Sequence, residues 1–146
     1  MTFTTLIKTS SLALALVLGV AAPASADRNR VTLEQFGHGN EVGGGQFGFR
    51  NSLSVYQDGW SNTSISVQDG AHNRTVVGQT GAHNGAGTTQ YGRRNISGTA
   101  QYGSGHSADT FQAGRGNASA IIQAGRGNSA RTTQRGSGNV SVIIQD

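Results

Sequence analysis

Carboxamides are the chemistry this sequence offers most regularly. Gln stands at positions 35, 46, 57, 68, 79, 90, 101, 112, 123, 134 and 145, eleven times at a constant spacing of eleven, and nowhere else. A carboxamide both donates and accepts, so identical Gln side chains stacked at one step can bond one another in a continuous row. That is binding chemistry between like surfaces, not catalysis. The chain has no Cys, and its repeat brings no carboxylate pair and no Ser, His and acid together in one column. His38, His72, His83 and His106 fall three, four, four and five residues after a Gln, so they do not converge; they are expected on turn surface rather than as metal ligands. No enzyme, metal or cofactor is expected.

The elements that must hold the amides follow from the rest of the unit. Gly stands two residues after every Gln but the last, and Asn five residues after at 40, 51, 62, 73, 84, 95, 117, 128 and 139, with His106 alone breaking that column. An eleven-residue period also suits a right-handed helical supercoil. Composition excludes it, because every unit contains Gly, at about 1 kcal/mol each in a helix interior. The segments before Gln are instead strand-like, as in Leu53-Ser54-Val55-Tyr56-Gln57 and Val140-Ser141-Val142-Ile143-Ile144-Gln145. The stretch from Gly to Asn reads as a tight turn, with both residues supplying unusual backbone conformations.

In a strand, Gln shares a face with the residues two and four before it. Two before Gln, the residue alternates between Leu33, Val55, Val77, Thr99, Ile121 and Ile143 in one set of units and Gly44, Ser66, Thr88, Thr110 and Thr132 in the other. The true repeat is therefore 22 residues, with a large strand facing a small one across a thin interior. Stacking such coils at about 4.8 Å gives an all-β, cross-β solenoid of five and a half 22-residue coils over residues 31–146. Inward Gln and Asn then form ladders that fix the register, since a buried amide left unpaired costs about 1 to 3 kcal/mol.

Composition agrees that something other than an apolar interior orders the chain. Only 12% of residues are charged and 23 are Gly, and Leu, Ile, Val and Phe fall below about 20% of residues 27–146, too few for an ordinary core. Residues 1–26 read as a secretory signal peptide, with Lys8, an apolar run from Leu12 to Ala22, and Ala24-Ser25-Ala26 at the cleavage point. The apolar run is too short to span a bilayer. Residues 27–30 form a short segment before the repeats. The net charge of +4 is too mild to call for nucleic acid, which is not an expected partner.

Neither end of the repeat array carries an evident cap, so head-to-tail addition of further copies is expected. With the register in view, the Gln-x-Gly-x-x-Asn unit in 22-residue pairs behind a signal peptide resembles the curlin repeat of curli, the functional amyloid of bacterial biofilms. The unit from Leu53 to Asn62 carries the resemblance best. It implies an extracellular fibre subunit that polymerises with itself, reaches the cell surface through the periplasm and an outer-membrane secretion channel with its chaperones, and is seeded by a nucleating homologue. The family's inward amides carry over to the Gln and Asn columns above. The major fibre subunit is the first reading and the nucleator the second.

Within that frame Ile121-Ile122 and Ile143-Ile144 are the most apolar strands and the expected drivers of assembly. Asp58, Asp69, Asp109 and the Gly43-Gly44-Gly45 run are expected to slow premature assembly. The Arg-Gly-Asn turns at 115–117 and 126–128 are a candidate basic stripe, and the outward aromatics Phe36, Phe47, Tyr91 and Tyr102, each one after Gln, sit in the same type of column, where they stack within the ladder or meet hydrophobic surfaces. The rival from another class is a soluble secreted solenoid binding ice or another ordered surface through Thr88-Thr89 and Thr132-Thr133. Its Thr column is interrupted by Val67 and Phe111.

Overall fold

A computed structural model describes residues 2–7 and 28–146. It is an all-β parallel solenoid, as the register predicts. The strands are β1 (Thr2–Ile7), β2 (Arg30–His38), β3 (Glu41–Phe49), β4 (Ser52–Trp60), β5 (Thr63–Ala71), β6 (Arg74–Ala82), β7 (Gly85–Arg93), β8 (Ile96–Ser104), β9 (Ser107–Arg115), β10 (Ala118–Arg126), β11 (Ser129–Ser137) and β12 (Val140–Gln145). They form two sheets. Sheet A runs β1-β2-β4-β6-β8-β10-β12 and sheet B runs β3-β5-β7-β9-β11. Within the repeats every pairing is parallel and offset by one 22-residue unit, as in Gln57↔Gln79 and Gln68↔Gln90.

Thr2–Ile7 adds to the outside of sheet A, with Thr2 opposite Arg30 and Ile7 opposite Gln35. The rest of the expected signal peptide lies outside the described residues. Among the described residues no helix is long and apolar enough to cross a membrane.

The strands are longer than the sequence suggested. Each full repeat strand extends from five residues before Gln to three after, so Gly lies inside the ladder, as the pair Gly59↔Gly81 shows. Only two residues remain for the turn. The left-handed backbone falls on the residue before Asn, at Arg50, Ser61, His72, His83 and Arg94 with φ of 52 to 58°, and not on Asn. Asn serves the turn through its amide.

The interior is thin and alternates as expected. Leu53, Val55, Val77 and Ala86 form one buried cluster, with Val31, Leu33 and Val42 against it; Ala108, Ile121 and Ala130 form a second, backed by Ile143. Thr99 sits between them in one column, opposite Val77 on one side and Ile121 on the other. Its hydroxyl is buried with no partner among the described residues. Thr99→Val keeps the shape and removes that polar atom, so it should raise stability by about 1 kcal/mol. A rightward shift of the chemical denaturation midpoint, with an unchanged slope, is the expected readout.

Candidate functional site: the amide ladders

Each sheet carries one unbroken row of glutamines. In sheet A, Gln35 Nε2 donates to Gln57 Oε1 (2.7 Å), Gln57 to Gln79 (2.7 Å), Gln79 to Gln101 (2.8 Å), Gln101 to Gln123 (3.0 Å) and Gln123 to Gln145 (2.9 Å). In sheet B the row is Gln46 to Gln68 (2.6 Å), Gln68 to Gln90 (2.9 Å), Gln90 to Gln112 (2.8 Å) and Gln112 to Gln134 (2.8 Å). All donors point the same way along the axis. From Gln46 onward the second proton of each amide crosses the interior to a backbone carbonyl of the opposite sheet, as Gln79 Nε2 does to Thr63 O at 3.0 Å and Gln90 Nε2 to Arg74 O at 3.1 Å. A Gln thus ties its own sheet vertically and the two sheets laterally. No shorter amide has that reach, and no apolar residue has the bonds.

The Asn rows work at the turns. Asn51 Nδ2 donates to Phe47 O of its own turn (2.8 Å) and to Gly70 O of the next coil (3.0 Å), while its Oδ1 accepts the backbone N–H of Asn73 (3.0 Å). Asn40, Asn62, Asn73, Asn84, Asn95, Asn117, Asn128 and Asn139 stand in the same two rows. Asn29 also belongs there, since its Oδ1 accepts the N–H of Asn51 at 2.8 Å. It lies eleven residues before Asn40. Counting from Gln hid it, because no Gln precedes it.

His106 is a correction to the turn-surface reading of the histidines. It is 2% exposed and replaces Asn chemically: its Nδ1 accepts the N–H of Asn128 (3.2 Å) and its Nε2 lies 3.1 Å from Tyr102 O. That pair of contacts places the ring proton on Nε2. His106→Asn should therefore change stability by under about 1 kcal/mol, while His106→Ala, which strands both partners, should cost about 2 kcal/mol. Denaturation of the two variants side by side checks the difference. His38, His72 and His83 are exposed, and among the described residues no three His, Asp or Glu gather as metal ligands.

The other candidates divide between faces. Ile121 is buried and Ile143 half-buried inside, whereas Ile122 and Ile144 point outward, 39% and 70% exposed. Asp58 is exposed on sheet A and Asp69 on sheet B; Asp109 accepts an ion pair from Arg131 at 3.1 Å. Gly44 holds φ of 138°, and a Cβ there would overlap the carbonyl of Ser66 in the neighbouring strand. Phe36 packs near Tyr56 and Tyr91 near Phe111, with ring centroids 5.7 and 5.9 Å apart. Thr88 and Thr132 are buried, leaving Thr89 and Thr133 outward, separated by Phe111 in the ladder. Arg115 and Arg126 sit at turns on opposite edges of the solenoid and do not share a stripe.

A family model described as the curlin associated repeat matches residues 26–59 and 50–81. No curated protein and no solved structure matches the chain. Residues 26–81 thus carry the curlin associated repeat, and the units beyond residue 81 keep the same Gln column, the same 22-residue stacking and the same amide bonds as the matched ones.

Proposed function

We propose that this protein is a secreted structural subunit, the major one of a curli-type system, which adds to copies of itself coil upon coil to build an extracellular amyloid fibre for biofilm matrix and surface adhesion. The observation that carries this reading is the directional amide ladder. Every coil offers the next the same donors and acceptors at one step, and Gln46 Oε1, where sheet B opens at β3, is buried with no partner among the described residues. A Gln donor from another copy meets that need at the spacing the ladder already uses. The neighbouring edge of sheet A is occupied by Thr2–Ile7, part of the segment we assign as the signal peptide. Its removal frees β2 for the same use.

In this reading the strands holding Ile121-Ile122 and Ile143-Ile144 drive assembly, and Asp58 and Asp69 restrain it by placing charge on the outer faces. An outer-membrane channel with chaperones and a nucleating homologue are the partners that the family supplies. Residues 27–146 diluted from denaturant should show a lag and then dye-binding, sedimentable fibres. A chain that stayed monomeric at high concentration would remove the assembly function. Asp58→Asn with Asp69→Asn should shorten the lag severalfold, and an unchanged lag would remove the restraining role from these two carboxylates.

A further inference from the structure

Among the described residues the repeat strands divide unequally between the sheets. Six, β2, β4, β6, β8, β10 and β12, lie in sheet A, and five, β3, β5, β7, β9 and β11, lie in sheet B. The winding changes sheet at every strand, so the repeat makes five and a half coils and both its first and its last strand belong to sheet A. The ends also differ in polarity. Each Gln Nε2 donates to the Gln one coil later, and the oxygens of Gln134 and Gln145 are already bonded by Gln112 and Gln123. The β11 and β12 end therefore offers ladder donors, at Gln134 Nε2 and Gln145 Nε2, and the β2 and β3 end offers acceptors, at Gln35 Oε1 and Gln46 Oε1.

Parity restricts how a second copy can continue both rows. If its β2 stood on β12, sheet A upon sheet A, its β3 would stand two ladder steps from β11, about 10 Å, and sheet B would lack a strand. Placing β2 on β11 and β3 on β12 leaves no gap. We infer that successive copies of residues 27–146 join with their sheets exchanged, each turned half a revolution about the fibre axis from its neighbour. Consecutive strands run in opposite directions and a half turn reverses direction, so the new pairs stay parallel. This inference rests on the assembly proposed above and names the groups that meet: Gln134 donates to Gln35, and Gln145 to Gln46, whose Oε1 is the buried acceptor without a partner among the described residues.

Side chains at the junction suit the exchange. Aligning Gln35 with Gln134 sets Glu34 on Thr133, with Arg131 and Arg135 as its diagonal neighbours on the outer face. Diagonal neighbours lie about 7–8 Å apart, within reach of long side chains, and Arg135 has no ion-pair partner among the described residues. Arg30, diagonal to Arg131, is one like-charge contact against these two attractive ones. The same-sheet join would instead set Glu34 on Ile144, diagonal to Asp146, where it meets only like charge. Inside, the exchange brings Leu33 across from Ile143, and Gly44, the smallest residue of its column, lands on Ile143 and leaves the room. Each copy adds about 26 Å of solenoid at about 4.8 Å per coil, and the outer face of sheet A changes sides at every junction.

Disulfide trapping tests the join, because the chain has no Cys of its own. Residues 43 and 142 lie on the first strand of sheet B and the last strand of sheet A, too far apart to bridge within one copy. Exchange sets Gly43 of one copy beside Val142 of the next at about 4.8 Å, inside the Cα range of a disulfide; the same-sheet join sets Thr32 there. A Cβ at Gly43 meets no atom within 4 Å, so a side chain is accepted. Fibres of residues 27–146 with Gly43→Cys and Val142→Cys should, on mild oxidation, give a series of covalent oligomers on non-reducing gels, at least tenfold more than fibres with Thr32→Cys and Val142→Cys. The reverse pattern overturns the exchange, as do fibres in which neither pair closes. Growth on seeds of the same chain gives a check without cysteine. Glu34→Arg should slow elongation severalfold at low salt, and adding Arg135→Glu should restore it; acceleration by Glu34→Arg would point to Asp146 and contradict the exchange. Parent chains that form no dye-binding fibres would remove assembly itself, whereas fibres with the other cross-link overturn only the exchange.

Discussion

Gly81→Ala is expected to abolish the folded solenoid, while Gly78→Ala, three residues earlier on the same strand, is tolerated. Gly81 holds φ of 120°, and a Cβ at that position would overlap the carbonyl oxygen of Gly103 in the next coil. The obstacle is backbone, bonded into a parallel ladder on both sides, so it cannot move aside without breaking the register of neighbouring coils. The conformation is also one that L side chains avoid. Together these should cost more than about 4 kcal/mol, the range reserved for steric failure in a fixed backbone. At Gly78 a methyl group would meet no heavy atom within 4 Å, and alanine there should be neutral or slightly stabilising. Gly116→Ala falls between: φ is 67° but the space is open, so only the backbone strain of about 1 kcal/mol applies. Denaturation and β-sheet circular dichroism across the three variants give the order. Similar losses at Gly81 and Gly116, with Gly78 spared, would mean that the left-handed backbone alone matters, and not the close stacking of coils.

Gln79→Leu is expected to cost about 2 to 4 kcal/mol, although leucine is the more apolar residue. Gln79 is fully buried. Its Nε2 serves Gln101 Oε1 at 2.8 Å, Thr63 O at 3.0 Å and Asn84 O at 3.0 Å, and its Oε1 accepts from Gln57. Leucine would leave the Gln101 acceptor without its ladder donor and free both carbonyls in a dry interior. Gln35→Leu is the internal comparison. Among the described residues its amide bonds only Gln57, and the residue is half-buried, so about 1 kcal/mol is expected. The gradient from the first coil to the middle separates a hydrogen-bonding role from simple space filling. Equal effects at Gln35 and Gln79, or a stabilised Gln79→Leu, would contradict the ladder as the source of order.

The Gln rows, the two-sheet solenoid and the large-against-small interior were legible because each depends only on spacing and alternation. Leu53, Val55, Val77 and Ile121 fall where parity places them. What was not legible depends on contacts between coils. A Gly two residues after Gln looks like turn chemistry in one unit, and only the stacked neighbour shows that its missing Cβ makes room for a carbonyl. Asn29 was hidden by anchoring the count on Gln. His106 was read by residue type, whereas the column decides: an imidazole has one acceptor and one donor where Asn has an oxygen and an amide. The neighbourhood of Arg93 and Arg115 was hidden for the same reason, since residues side by side in the ladder are 22 apart in sequence.

Diffraction from aligned fibres assembled from residues 27–146 tests the central claim most directly. If the amide ladder continues from one copy into the next, a meridional reflection at about 4.8 Å should appear, with the strands perpendicular to the fibre axis, and it should be lost from the same preparation of Gln79→Leu. A folded β-rich monomer that gives no fibres, or fibres without that meridional spacing, would contradict the account.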